Sequence, residues 1–233
     1  MKGFDLMAVL LNPEFSRMLV HGVKMTFIIF IGSWLLAMSL GMVLLAVRML
    51  PSRIANGFVA IYVSYHRNVP TLVQLMLWYF GISSLLPDPV QIWLGDHNGE
   101  AVFAVIALGL CQAAYFSEDQ RSGLRAVPKG QWEAARALGH GYFGAMAYIL
   151  LPQAVRNAMP ALVNHTVSLF KNSSLAMAIG VAELTHAVKE VENQSFRPFE
   201  TYLIATIVYL VCSLLLMWLG HHLEQRSRMA GAV

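Results

Sequence analysis

Glu133-Ala134-Ala135-Arg136-Ala137-Leu138-Gly139, then nine residues, then Ile149-Leu150-Leu151-Pro152, is the stretch on which the reading of this chain turns. It lies between two long apolar runs. A short alanine-rich segment carrying a Glu and flanking cations favours helix but has no use as a membrane-crossing segment. It predicts a small helix outside the lipid, closed by Gly139 and held out for another protein to touch.

The surroundings of that stretch set the class. The chain has 233 residues, 57% hydrophobic and only 12% charged, with mean hydropathy +0.57. Soluble domains carry about 25% charged residues, so the composition implies an integral membrane protein built as one helix bundle. A net charge of +3 is small for nucleic-acid binding, and none is expected. Cys111 and Cys212 both fall in apolar runs, where small buried hydrophobes are the better reading than a disulfide or a metal framework. No signal peptide is evident in residues 1–22, which contain Asp5, Pro13, Glu14 and Arg17. The chain has no Gly-Lys pair and hence no phosphate-cradling loop, no H-E-x-x-H and no G-x-S-x-G. No catalytic or metal-binding residue is assigned, and any energy has to come from a partner or a gradient.

Taken in order, residues 1–22 read as an amphipathic or irregular lead-in and Val23–Val47 as the first span. Ile54–His66 suits an interfacial helix. Pro70, well placed in the first turn of a helix, opens a second span to about Leu86. A loop with Asp88, Asp96, His97 and Glu100 leads to the third span, Ala101–Phe116. A polar stretch, Ser117–Gln131, leads into the opening motif. The fourth span runs from near Tyr142 to Leu169, followed by a small apolar run, Leu175–Ala182. Glu183–Arg197 reads as a charged loop and Tyr202–Gly220 as the fifth span, with a tail over 221–233.

Five spans put the termini on opposite sides, and cation bias selects the sides. Arg48, Arg53, Arg67, Arg121, Arg125, Lys129, Arg136, Arg226 and Arg228 fall on one. Asp88, Asp96, Glu100, Glu183, Glu190 and Glu192 fall on the other, with Lys189 and Arg197. The first side is expected to be cytoplasmic and the N-terminus periplasmic, although Lys2, Arg17 and Lys24 run against the trend. The opening motif then faces the cytoplasm.

Those residues in that order resemble the EAA loop of bacterial ATP-binding-cassette (ABC) importer permeases. Arg67-Asn68-Val69-Pro70-Thr71-Leu72-Val73-Gln74 is similar to the R-x-x-P-L-L-V-Q element of the polar amino acid subfamily. Ala113-Ala114-Tyr115-Phe116-Ser117-Glu118, Gly130-Gln131-Trp132-Glu133-Ala134-Ala135, Leu151-Pro152-Gln153-Ala154 and Lys171-Asn172-Ser173-Ser174-Leu175 match further elements. Asn68-Val69, Thr71 and Leu124 depart slightly from them. The resemblance implies an all-α fold of the type I importer class: a transmembrane domain over 23–220 with five membrane helices, plus a cytoplasmic coupling helix in an EAA loop at about 121–141. It also implies a second permease subunit (self or sister), two cytoplasmic ABC ATPase subunits that hold the ATP and Mg, and a periplasmic amino-acid-binding protein. Glu133, Ala134, Ala135 and Gly139 are the expected ATPase-coupling residues, and this chain is itself expected not to be an enzyme. The competing class, a membrane-embedded enzyme or assembly factor without an ATPase partner, differs in co-purifying no ATPase. A secondary transporter is disfavoured because no inverted repeat is visible.

Helix four carries a polar face. Asn157, Asn164, Ser168 and Asn172 recur at spacings of seven, four and four, flanked by His165 and Lys171. Polar side chains in a span either hold helices together or line a passage. On the second reading Asn164, His165, Ser168, Lys171 and Asn172 form the substrate path, with Gln74 and Gln112 completing it or serving as interhelical hydrogen-bonding residues. In relatives that look specific for cationic amino acids, the position of His165 is often Glu. An imidazole there, with Lys171 nearby, is expected to favour an anionic side chain, glutamate or aspartate, with glutamine as the rival.

Overall fold

The computed structural model describes residues 4–229. Among these residues every regular element is helical: α1 (Met7–Leu10), α2 (Pro13–Met49), α3 (Arg53–Asn68), α4 (Thr71–Met76), α5 (Asp88–Asp96), α6 (Gly99–Arg125), α7 (Lys129–Ala137), α8 (Tyr142–Ala145), α9 (Leu151–Asn172), α10 (Leu184–Ser195) and α11 (Pro198–Met229). α4 continues through a π turn, Leu77–Ile82, and a 3₁₀ turn, Ser83–Leu85. A second π turn, Met146–Leu150, joins α8 to α9, and a 3₁₀ stretch, Ser173–Ile179, follows α9. Pro152 accounts for the second π turn. It has no N–H to donate, and its ring crowds the carbonyl four residues back, so the helix widens just before it.

Pro13–Met49, Gly99–Arg125 and Pro198–Gln225 are long and apolar enough to cross a membrane. Thr71–Leu85 is a shorter apolar helix, and Tyr142–Asn172 is the rod that carries the polar face.

Five regions differ from the sequence reading. The expected loop with Asp88 and Asp96 holds α5, Asp88–Asp96. The first helix begins at Pro13, inside the expected lead-in, because the Asn12 side chain accepts from the N–H groups of Glu14 (2.9 Å) and Phe15 (3.3 Å) and Pro13 fits the first turn. α6 does not stop at Phe116 but continues to Arg125. Its polar extension buries Ser117, Asp119 and Gly123. The supposed charged loop is α10, capped by the Glu183 carboxylate on the N–H groups of Thr185 and His186, both at 2.9 Å. Its buried residues Leu184, Ala187, Val188 and Val191 are at helical spacing, which the charges on the other face conceal. The last helix runs through the expected tail to Met229. Met1–Gly3, which include Lys2 of the charge count, and residues 230–233 lie outside the described residues.

α2 buries one stripe, Leu19, Gly22, Thr26, Ile29, Ser33, Ala37, Gly41 and Leu44, against α6 and α10. α2 and α6 run parallel, with Gly32 meeting Val105 and Gly41 meeting Phe116. Lipid exerts no hydrophobic force between helices, so small residues and close contact hold such pairs. The tightest contact is α6 on α9: a Cβ at Gly123 would stand 2.3 Å from the Ala154 carbonyl oxygen and 2.7 Å from Ala158 Cβ. Ile29, Leu75, Phe103, Leu108, Leu169 and Phe170 pack the centre where α2, α4, α6 and α9 meet. α7 follows α6 at one end of the bundle, while α10 lies against the N-terminal half of α2 at the other, where Gly22 faces Leu184 and Ala187.

Candidate functional site

α4, α6 and α9 enclose a cavity of about 250 Å³. Its polar wall is Thr71 from α4, Gln112 and Tyr115 from α6, and His165, Ser168 and Asn172 from α9, with Leu108, Cys111 and Leu169 between them. α6 and α9 turn these residues inward because each set recurs at three- and four-residue spacing on one helical face. Gln112 is 4% exposed, and its Nε2 has no hydrogen-bond partner. A buried amide N–H without an acceptor costs about 1–3 kcal/mol, so this donor suits an acceptor brought in by whatever fills the cavity. No lining residue is an Asp or Glu.

Behind the wall, Asp119 Oδ2 is 2.6 Å from His165 Nδ1, joining α6 to α9. The Tyr115 ring packs against the imidazole at 5.0 Å between centroids, and the Arg67 guanidinium lies 5.5 Å from the Tyr115 ring centre. Asp119 was missed in the sequence reading. Its signal was its position, seven residues after Gln112 and four before Gly123, on the face of α6 that meets α9.

Of the expected path residues, Gln112, His165, Ser168 and Asn172 line this cavity, while Asn164, Lys171 and Gln74 do not. Asn164 and Lys171 are exposed, so Lys171 does not place a positive charge on the wall. Gln74 is buried in a different role. Its Oε1 is 2.5 Å from His66 Nδ1, and its Nε2 donates to the carbonyls of His66 (3.1 Å) and Val69 (2.8 Å). It clamps the break between α3 and α4, where Pro70 contributes no N–H. Ser168 Oγ donates to the Asn164 carbonyl at 3.0 Å. Asn157 donates to the Gly123 carbonyl at 3.4 Å, as interhelical glue.

At the far end α7 presents Glu133 and Ala134 outward, while Ala135 is 1% exposed and turned into the bundle. Trp132 meets Tyr142 edge-on at 5.4 Å and packs on the Val127–Leu150–Ala154 cluster. Gly139 adopts φ +86°, a left-handed turn that favours glycine. Nearby, Arg48, Arg67, Arg121 and Glu118 surround a cavity of about 390 Å³, with Glu118 ion-paired to both Arg48 and Arg121.

Residues 35–229 match the family described as the binding-protein-dependent transport system inner membrane component. The chain belongs to that family. Among its relatives, the glutamate/aspartate import permease protein GltJ of Escherichia coli (strain K12) is 30% identical over 224 residues, 94% of this chain and 91% of the relative. The arginine transport system permease protein ArtQ of Bacillus subtilis (strain 168) is 34% identical over 225 residues, 94% and 99% of the two chains. A crystal structure of an amino acid ABC transporter with histidines superposes with a TM-score of 0.84 at 28% identity, covering 97% of this permease and 100% of that chain. The all-α fold inferred from the sequence is the fold of that transporter's permease.

Proposed function

We propose that this permease forms the passage of an ATP-driven importer for polar amino acids, with glutamate and aspartate as its cargo. Family membership makes it the membrane component of a binding-protein-dependent system. Its relatives carry names for acidic and for basic amino acids, so the choice of side chain rests on the cavity. The observation that carries it is a cavity wall in which no lining residue is Asp or Glu. Such a wall offers no direct counter-ion to a cationic side chain. Hydrolysis takes place on the partner ATPases, which hold the ATP and Mg. Exposed Glu133 and Ala134 on α7 meet those ATPases on the cytoplasmic side, as the cation bias orients the chain. A second permease subunit and a periplasmic binding protein complete the assembly, and the N-terminus faces the periplasm.

The test is uptake of labelled glutamate by cells that express the permease with its ATPase and binding protein, in competition with unlabelled aspartate, glutamine and arginine. Aspartate is expected to compete best and arginine least. Stronger competition by glutamine or arginine than by aspartate counts against the acidic cargo.

A further inference from the structure

Asp119 is 8% exposed and sits behind the cavity wall. An ionised carboxylate only accepts hydrogen bonds, so in the 2.6 Å contact the single proton of a neutral imidazole belongs on His165 Nδ1. Nε2, on the opposite edge of the ring, then has no hydrogen-bond partner among the described residues. A carboxylate behind an imidazole fixes its tautomer and strengthens the far nitrogen as an acceptor, as it does for metal-binding histidines. Lys171 is exposed and off the wall, and Arg67 lies against the Tyr115 ring.

The cavity therefore holds one strong acceptor, His165 Nε2 backed by Asp119, and one unsatisfied buried donor, the Gln112 amide. An amino acid, whatever its side chain, carries one cationic donor and one anionic acceptor on the same carbon. We propose that the Asp119–His165 couple receives the substrate's α-ammonium and Gln112 its α-carboxylate. Asp119 acts through His165 as a positioning residue. The inference rests on the amino acid cargo named above and deepens it: the main-chain groups are gripped here, and the side chain is sorted by the rest of the wall.

The test is direct binding, by equilibrium dialysis, to the purified permease–ATPase complex in detergent without its binding protein. Glutamate is compared with glutarate, which has the same skeleton without the α-ammonium. The wild type is expected to prefer glutamate by roughly tenfold or more, the range of a charge-assisted hydrogen bond. Asp119→Asn and His165→Gln are each expected to bring that ratio close to one, with Asp119→Glu restoring part of it. Size-exclusion chromatography with the ATPase retained shows that each variant is folded. A purely structural Asp119 weakens both ligands alike and leaves the ratio unchanged, which overturns the proposal. If the wild type binds glutamine and not glutamate, the acidic cargo fails. Glutamine against its deaminated analogue glutaramate then tests the ammonium site in the same way. Binding of neither amino acid overturns both readings.

Discussion

Gly123→Ala adds one methyl group where α6 crosses α9, and the geometry says what it does. The new Cβ would stand 2.3 Å from the Ala154 carbonyl oxygen and 2.7 Å from Ala158 Cβ. Neither obstacle is the end of a flexible side chain, so the two helices have to separate by about 1 Å, and overpacking of this kind costs roughly 1–3 kcal/mol. Asp119 lies one turn back on α6, and its 2.6 Å contact with His165 bridges the same pair of helices. The separation stretches that contact to about 3.6 Å, past hydrogen-bond range. Two effects are therefore expected together. The purified permease–ATPase complex loses apparent Tm, by about 2–4 °C per kcal/mol for a chain of this size. Its preference for glutamate over glutarate falls as it does in Asp119→Asn. Thermal scans and equilibrium dialysis on one preparation measure both. A Gly123→Ala complex with unchanged Tm and unchanged ligand preference would refute the close-packing argument.

Glu133→Arg is expected to leave folding intact, because Glu133 is exposed while Ala135 makes the buried contact, yet to lose ATPase co-purification and uncouple hydrolysis from uptake; normal transport in vesicles contradicts this. Gln74→Leu removes a donor from the carbonyls of His66 and Val69 and the partner of a buried His66 ring nitrogen at the α3–α4 break, leaving only the Cys111 thiol on the His66 carbonyl, at about 1–3 kcal/mol for each group left buried without a partner. Thermal scans should show one of the largest losses among single polar substitutions, and a wild-type Tm would remove the clamp from the account. Glu183, outside the spanning helices, has its carboxyl pushed above the usual range by burial, against the opposing pull of the Thr185 and His186 N–H groups and the Tyr209 hydroxyl. A raised folded pKa means the folded state holds the proton more tightly, so this group's contribution is full below the usual carboxylate range and declines as pH rises through the raised value. Glu183→Gln removes the charge and keeps one of the two capping oxygens, a loss that does not vary with pH. Its Tm relative to wild type is expected to rise from acid to neutral pH, and a flat difference argues against the shift.

Apolar runs, punctuated by Pro and charge, announced a helical membrane protein because lipid leaves unpaired backbone groups no alternative to the helix. Glu133–Gly139 announced a short helix standing between the apolar runs, because its small residues and charges favour helix but not lipid. The polar face of α9 was equally legible, since helical spacing is local. Local pattern failed where polar residues were packed rather than solvated. α6 was ended at Phe116 because Ser117–Arg121 looks like a loop, and α10 was read as one because Glu183, Glu190 and Glu192 hide its apolar stripe.

What the sequence determined on its own is therefore the class, the helical periodicity and the outward helix, all set by interactions between near neighbours along the chain or with the solvent. Which of the inward polar residues share a cavity was decided only by the tertiary structure. Gln74 and Gln112 look alike in sequence. One is saturated by backbone carbonyls across the α3–α4 break, and the other is left with a free donor. Asp119 and His165 are 46 residues apart, and no local rule pairs them. They meet because Gly123 lets α6 and α9 approach to backbone contact, a distance set by packing between helices rather than by either helix alone.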